Sequence, residues 1–122
     1  MKLTDNYDNY ELRDEDELLA QYVDDEILEQ DFTVTTLEAA GLTKLMTPDG
    51  ATTVLEAFKL HATKAQKSIV IYSKKYFNED RVIVVSGQTV IDGYHHVVAA
   101  HQLGKDVRLI DLEEDPALGM KP

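Results

Sequence analysis

A chain of 122 residues, 43% of them hydrophobic and with a formal net charge of −11, holds enough apolar material for one compact domain with its own core. It contains no cysteine, which excludes disulfides, thiolate zinc sites and cysteine nucleophiles together. No apolar run approaches bilayer-spanning length and the opening Met1–Asp8 lacks the apolar core of a secretory signal, so the expectation is a cytoplasmic protein with no membrane association.

Residues 1–31 carry twelve acids against Lys2 and Arg13, a net of −10 out of the chain's −11. Between Asp14 and Gln30, Leu18, Leu19, Tyr22, Val23, Ile27 and Leu28 recur at helical spacing with acids on the other faces, which predicts an acidic amphipathic helix. Three roles are open for this segment: a solvated face that maintains solubility, a docking surface for a basic protein partner in imitation of nucleic-acid charge, or an arm covering the protein's own basic groove. Overall acidity argues against unassisted, sequence-independent DNA binding, which depends on counterion release by Lys and Arg. From Lys44 to Arg108 the balance reverses, with nine bases against six acids. The chain thus divides into an acidic N-terminal segment (1–31), a folded domain (32–115) and a C-terminal tail (116–122).

Phe32, Val34 and Thr33, Thr35 and Thr36 favour a short strand, followed by one helical turn over Leu37–Ala40 ended by Gly41. Thr47-Pro48-Asp49-Gly50 is a turn, and Thr52 or Thr53 opens a helix with Val54, Leu55 and Phe58 on one face, extending to His61 and Ala62. The β-branched run Ser68–Tyr72 predicts a buried strand, and Lys74–Asp80 a polar loop whose aromatics Tyr76 and Phe77 suit anchoring better than base stacking. Arg81–Val85 and Gln88–Ile91 form a hairpin across Ser86-Gly87, ending in the Asp92-Gly93 turn. Tyr94–Leu103 is a helix stopped by Gly104, and Val107–Leu112 is the last strand. Hairpins mixed with helices, without strict alternation, indicate a small α+β fold with a mixed sheet.

The most informative stretch is Asp92-Gly93-Tyr94-His95-His96, which puts two imidazoles in the first turn of a helix, beside its unpaired amides and the positive end of its dipole. This stretch, with Ala99-Ala100, Leu103-Gly104 and Val107–Ile110 after it, resembles the ParB/sulfiredoxin-like superfamily, in which a hairpin leads into a turn of the form Asp-Gly-x-His-Arg or Gly-Glu-Arg-Arg, then a helix with paired alanines and a final strand. The match covers residues 68–112 and extends more loosely to Phe32. The resemblance implies binding of nucleotide phosphates, CTP or ATP, and in some members nuclease activity. The chain departs from the family pattern at His96, where the family has an arginine with its rigid fork of donors. Sulfinic acid reduction needs a cysteine where this chain has Tyr94. The glutamate of the Gly-Glu-Arg-Arg form, which accompanies CTP hydrolysis, is also missing.

The candidate site residues follow from this. Gly93, Tyr94, His95 and His96 would bind phosphate, with Asp92, His95 and His96 as candidate catalytic groups and Lys74, Lys75 and Arg81 guiding a nucleotide or nucleic acid. Against these stand plainer roles: Asp92 as a turn residue, His95 and His96 as helix-start residues facing solvent, Tyr94 packed on the hairpin, and His101 as a partly buried packing residue. No His-Glu-x-x-His, Walker loop, Gly-x-Gly-x-x-Gly or Gly-x-Ser-x-Gly pattern occurs, so no protein-built metal site is expected. A magnesium ion shared between Asp92 and a nucleotide phosphate is compatible with the sequence. Two functions remain: a phosphate-binding nuclease or nucleotide hydrolase, or a catalytically inactive accessory protein, as would suit a phage or plasmid, that binds another protein through its acidic segment.

Overall fold

The computed structural model describes Met1 and residues 30–113; the helix expected over Asp14–Gln30, Gln30 apart, and the tail 116–122 lie outside the described residues. The described elements are β1 (Thr35–Leu37), a 3-10 helix (Ala39–Lys44), α1 (Val54–His61), α2 (Lys64–Lys75), β2 (Val82–Ser86), β3 (Thr89–Asp92), α3 (Tyr94–Leu103) and β4 (Val107–Asp111). They make an α+β fold around a mixed four-stranded sheet in the order β1-β4-β2-β3.

β2 is central because Val82, Ile83, Val84 and Val85 are all buried, and a strand apolar on both faces is stable only with both faces covered. It runs parallel to β4, pairing Ile83 with Leu109 and Val84 with Ile110, and antiparallel to β3, pairing Val85 with Val90 and Ser86 with Thr89. The strand ends differ from expectation by one residue. The turn needs a positive φ at its first position, which Gly87 supplies at 62°, so Ser86 stays in the ladder and the connection is Gly87-Gln88. Asp111 Oδ1 accepts from the Gly87 amide at 3.0 Å. A bulge between Val84 and Val85 sets Asp92 opposite Val84 at the far end of the hairpin.

One sheet face packs Ile83, Val85, Val90 and Val107 against the helices, where Val54 of α1, Val70 of α2 and Val97 and Val98 of α3 complete the core. His96 to Ala100 of α3 are buried in an unbroken run, because α1 and α2 cover the side of α3 that the sheet leaves exposed. On the opposite face Val82, Val84, Ile91 and Ile110 form a second cluster with Phe32, flanked by Met1, Val34 and Leu112. Phe32 is tied there by its amide to the Met1 carbonyl at 2.8 Å, and the Met1 ammonium is paired with Asp31.

Four local expectations are corrected. Ser68–Tyr72 is not a buried strand but the middle of α2. Thr63 and Gln66 form a capping box, with the Thr63 hydroxyl accepting from the Gln66 amide at 3.1 Å and the Gln66 side chain accepting from the Thr63 amide at 2.9 Å. Each β-branched residue lowers helix propensity by only about half a kcal/mol, which capping and burial of Val70 offset. Lys74 and Lys75 accordingly form the last turn of α2 instead of a loop. Near the start, Phe32 and Val34 lie before β1, Leu37 belongs to that strand opposite Val107, and the following 3-10 helix runs through Gly41 to Lys44. His101 is exposed, not partly buried.

Candidate functional site: the cavity at the start of α3

Gly93 joins the hairpin to α3 with φ 106° and ψ 20°, in the left-handed region open to glycine. It also lies hard against β2: a Cβ at this position would stand 2.8 Å from the Cβ of Ile83. The two constraints together bring the β3 end and the first turn of α3 close to the sheet. The hydroxyls of Thr53 and Thr63 cap α1 and α2, whereas among the described residues no side chain caps α3. Its leading amides and the positive end of its dipole therefore border whatever lies in front of Gly93.

What lies there is a cavity of about 260 Å³, lined at its base by Arg81, Asp92, Gly93, Tyr94 and His95. Ile69 and Ser73 of α2 and Pro48 of the turn before α1 form its other walls. Arg81 Nη2 stands 3.9 Å from Asp92 Oδ2, a long ion pair that leaves the guanidinium fork with donors to offer an anion. His95 also lines it, and its Nε2 is buried with no hydrogen-bond partner among the described residues. Burial chiefly, and the Arg81 charge secondarily, push its imidazole below the ordinary histidine range, so it is neutral near pH 7. A neutral imidazole can donate from one nitrogen and accept at the other, which suits hydrogen bonding or general-base work better than general-acid work.

The neighbouring aromatics fix this arrangement. Tyr94 packs edge-on to His95 at 5.3 Å and tilted to Phe58 at 6.4 Å, and burial raises its hydroxyl above the ordinary tyrosine value. His96 points elsewhere: it is 4% exposed and stacks on Phe77 at 4.7 Å with the rings nearly parallel. Burial, reinforced by Arg81, pushes it down to about 4. Its imidazole is a neutral packing element and does not line the cavity.

The sequence-derived set is therefore brought together at Arg81, Asp92, Gly93, Tyr94 and His95, and separated from Lys74, Lys75 and the ring of His96. Lys75 instead lies 5.4 Å over the Tyr76 ring, which in turn packs on Tyr72 at 4.8 Å. Ile69 and Ser73 are wall residues that sequence reasoning missed, because reading Ser68–Tyr72 as a strand removed α2 from the site. The Thr63-x-x-Gln66 signature was the available signal. Asp92 supplies a carboxylate to the cavity, and among the described residues no group of three or more His, Asp or Glu side chains converges as a metal site. Nor is any helix among the described residues long and apolar enough to cross a membrane. No protein-family model, curated protein or solved structure matches the chain.

Proposed function

We propose that the cavity in front of Gly93 binds a phosphate group, carried by a nucleotide or a nucleic acid, and that the domain is a divergent ParB/sulfiredoxin-like member. The observation that carries this reading is the meeting of the start of α3, which no described side chain caps, with Arg81 and His95 around one cavity. Amides at a helix start, a guanidinium fork and an imidazole donor are the groups that hold phosphate oxygens in a partly dry site. His96 takes part through its main-chain amide at most, since its ring is stacked under Phe77. A magnesium ion here would be held by Asp92, ligand phosphate and water.

Binding is better supported than turnover. The position where the family carries arginine is a buried, neutral histidine, so one charge that would stabilise a transferring phosphoryl group is missing. Hydrolysis would rest on His95 as base and Asp92 as its orienting group or metal ligand. The charge asymmetry of residues 1–31 favours a second reading, an inactive accessory protein whose acidic segment engages a protein partner.

Isothermal titration of the full chain with inorganic phosphate, CTP, ATP and short DNA, with and without magnesium, tests the proposal. Binding should disappear in an Arg81→Ala, His95→Ala double variant and persist in Lys75→Ala. Absence of heat with every ligand, or equal binding by the double variant, overturns it.

A further inference from the structure

A second concavity, which Gly93 does not line, lies among the three helices. α1, α2 and α3 enclose a groove of about 500 Å³ whose floor is Leu55, Phe58 and Val98. It continues into a recess of about 230 Å³ beside Val70 and Ile71, and the two share Phe58, Lys67 and Gln102. Ile71 at the recess is 64% exposed. Large aliphatic side chains left in water around an apolar groove mark a contact surface.

The charge around this groove is opposite to that of the chain. Its charged lining residues are two lysines, Lys59 and Lys67, against one glutamate, Glu56, in a protein whose net charge is −11. Lys59 and Lys67 stand exposed on the rim, joined by His101 and Gln102, with Glu56 the acidic exception. An apolar floor flanked by cations is complementary to a helix with leucine-like residues at i, i+3, i+4 and i+7 and carboxylates beside them. A two-fold copy of this face would set lysine against lysine. A nucleic-acid backbone would leave the aliphatic floor unused.

We propose that the groove between α1, α2 and α3 docks an acidic amphipathic helix of a partner protein. The helix lays its apolar stripe on Leu55, Phe58 and Ile71 and its carboxylates against Lys59 and Lys67. This surface is separate from the cavity at Gly93 and does not depend on what that cavity binds.

The test uses the full chain and a labelled synthetic helix with leucines at i, i+3, i+4 and i+7 and glutamates on the flanks, beside a control peptide with lysines for the glutamates. Fluorescence anisotropy should show the acidic peptide binding at least ~10-fold more tightly than the basic one, with amide NMR shifts confined to α1, α2 and the second half of α3. A Lys59→Glu, Lys67→Glu variant, checked for fold by circular dichroism, should lose the acidic peptide and gain the basic one. Ile71→Ser should weaken both pairings. Failure of the acidic peptide to bind, equal binding by both peptides, shifts outside these helices, or unchanged binding by the charge-reversed variant overturns the proposal. So does self-association abolished by Lys67→Glu, which would make a second copy the occupant, and so does short DNA that shifts the same amides when the acidic peptide does not.

Discussion

Lowering the pH from 7 to 5 should destabilise the native state through His96 by about 2 kcal/mol. In the unfolded chain this imidazole titrates near the ordinary 6.5, whereas in the fold burial, with the Arg81 charge adding to it, pushes it to about 4. Between those values the unfolded state takes up a proton that the native state refuses, so stability is complete above 6.5, falls as the pH drops, and levels off below about 4. The gap corresponds to about 3 kcal/mol at full titration, of which about 2 is reached by pH 5. His95, also pushed down, acts in the same direction. Neutralisation of surface carboxylates in a chain of net charge −11 opposes it, so the measurement must be a comparison. His96→Phe keeps a ring stacked on Phe77 and removes the titrating nitrogens. Urea unfolding of both proteins at pH 7 and pH 5 should show the wild-type midpoint falling roughly 1–2 M further than the variant's. Equal pH dependence in the two proteins would refute the assignment of His96 as a buried neutral histidine.

Two further outcomes check the architecture. Gly93→Ala combines an unfavourable φ of 106° with a Cβ 2.8 Å from that of Ile83, and should destabilise the fold by about 3 kcal/mol or more; Gly104→Ala, with φ 68° and open space around it, should lose only about 1 kcal/mol. Thermal or urea denaturation distinguishes them, and equal losses would contradict the close approach of the turn to β2. Thr63→Ala removes the hydroxyl that caps α2 and should lower stability by about 1 kcal/mol, with reduced helical ellipticity; no change would argue against the capped helix.

Much of the fold was legible because its signals are local. Val82–Val85 is a β-branched run, Gly87 supplies the hairpin turn, and Gly93 and Gly104 bracket α3, each identity acting through backbone sterics within a few residues. The misreading at Ser68–Tyr72 has the opposite cause. A β-branched run satisfies strand and helix patterns alike, and the choice is made by the Thr63–Gln66 cap and by Val70 finding the core on α3.

The site divides in the same way. Sequence alone determined that an Asp-Gly turn would open a helix beginning with two histidines, and that no thiol chemistry could occur there. Tertiary structure decided which histidine faces what: adjacent residues on a helix point about 100° apart, so His95 borders the cavity while His96 goes under Phe77. It also decided that Arg81 and Ser73, far from Gly93 in sequence, would wall the same cavity, whereas Lys74 and Lys75 would not. Neither outcome is encoded in local periodicity, because both depend on where α2 lies across the end of the hairpin, and its packing against α3 sets that position.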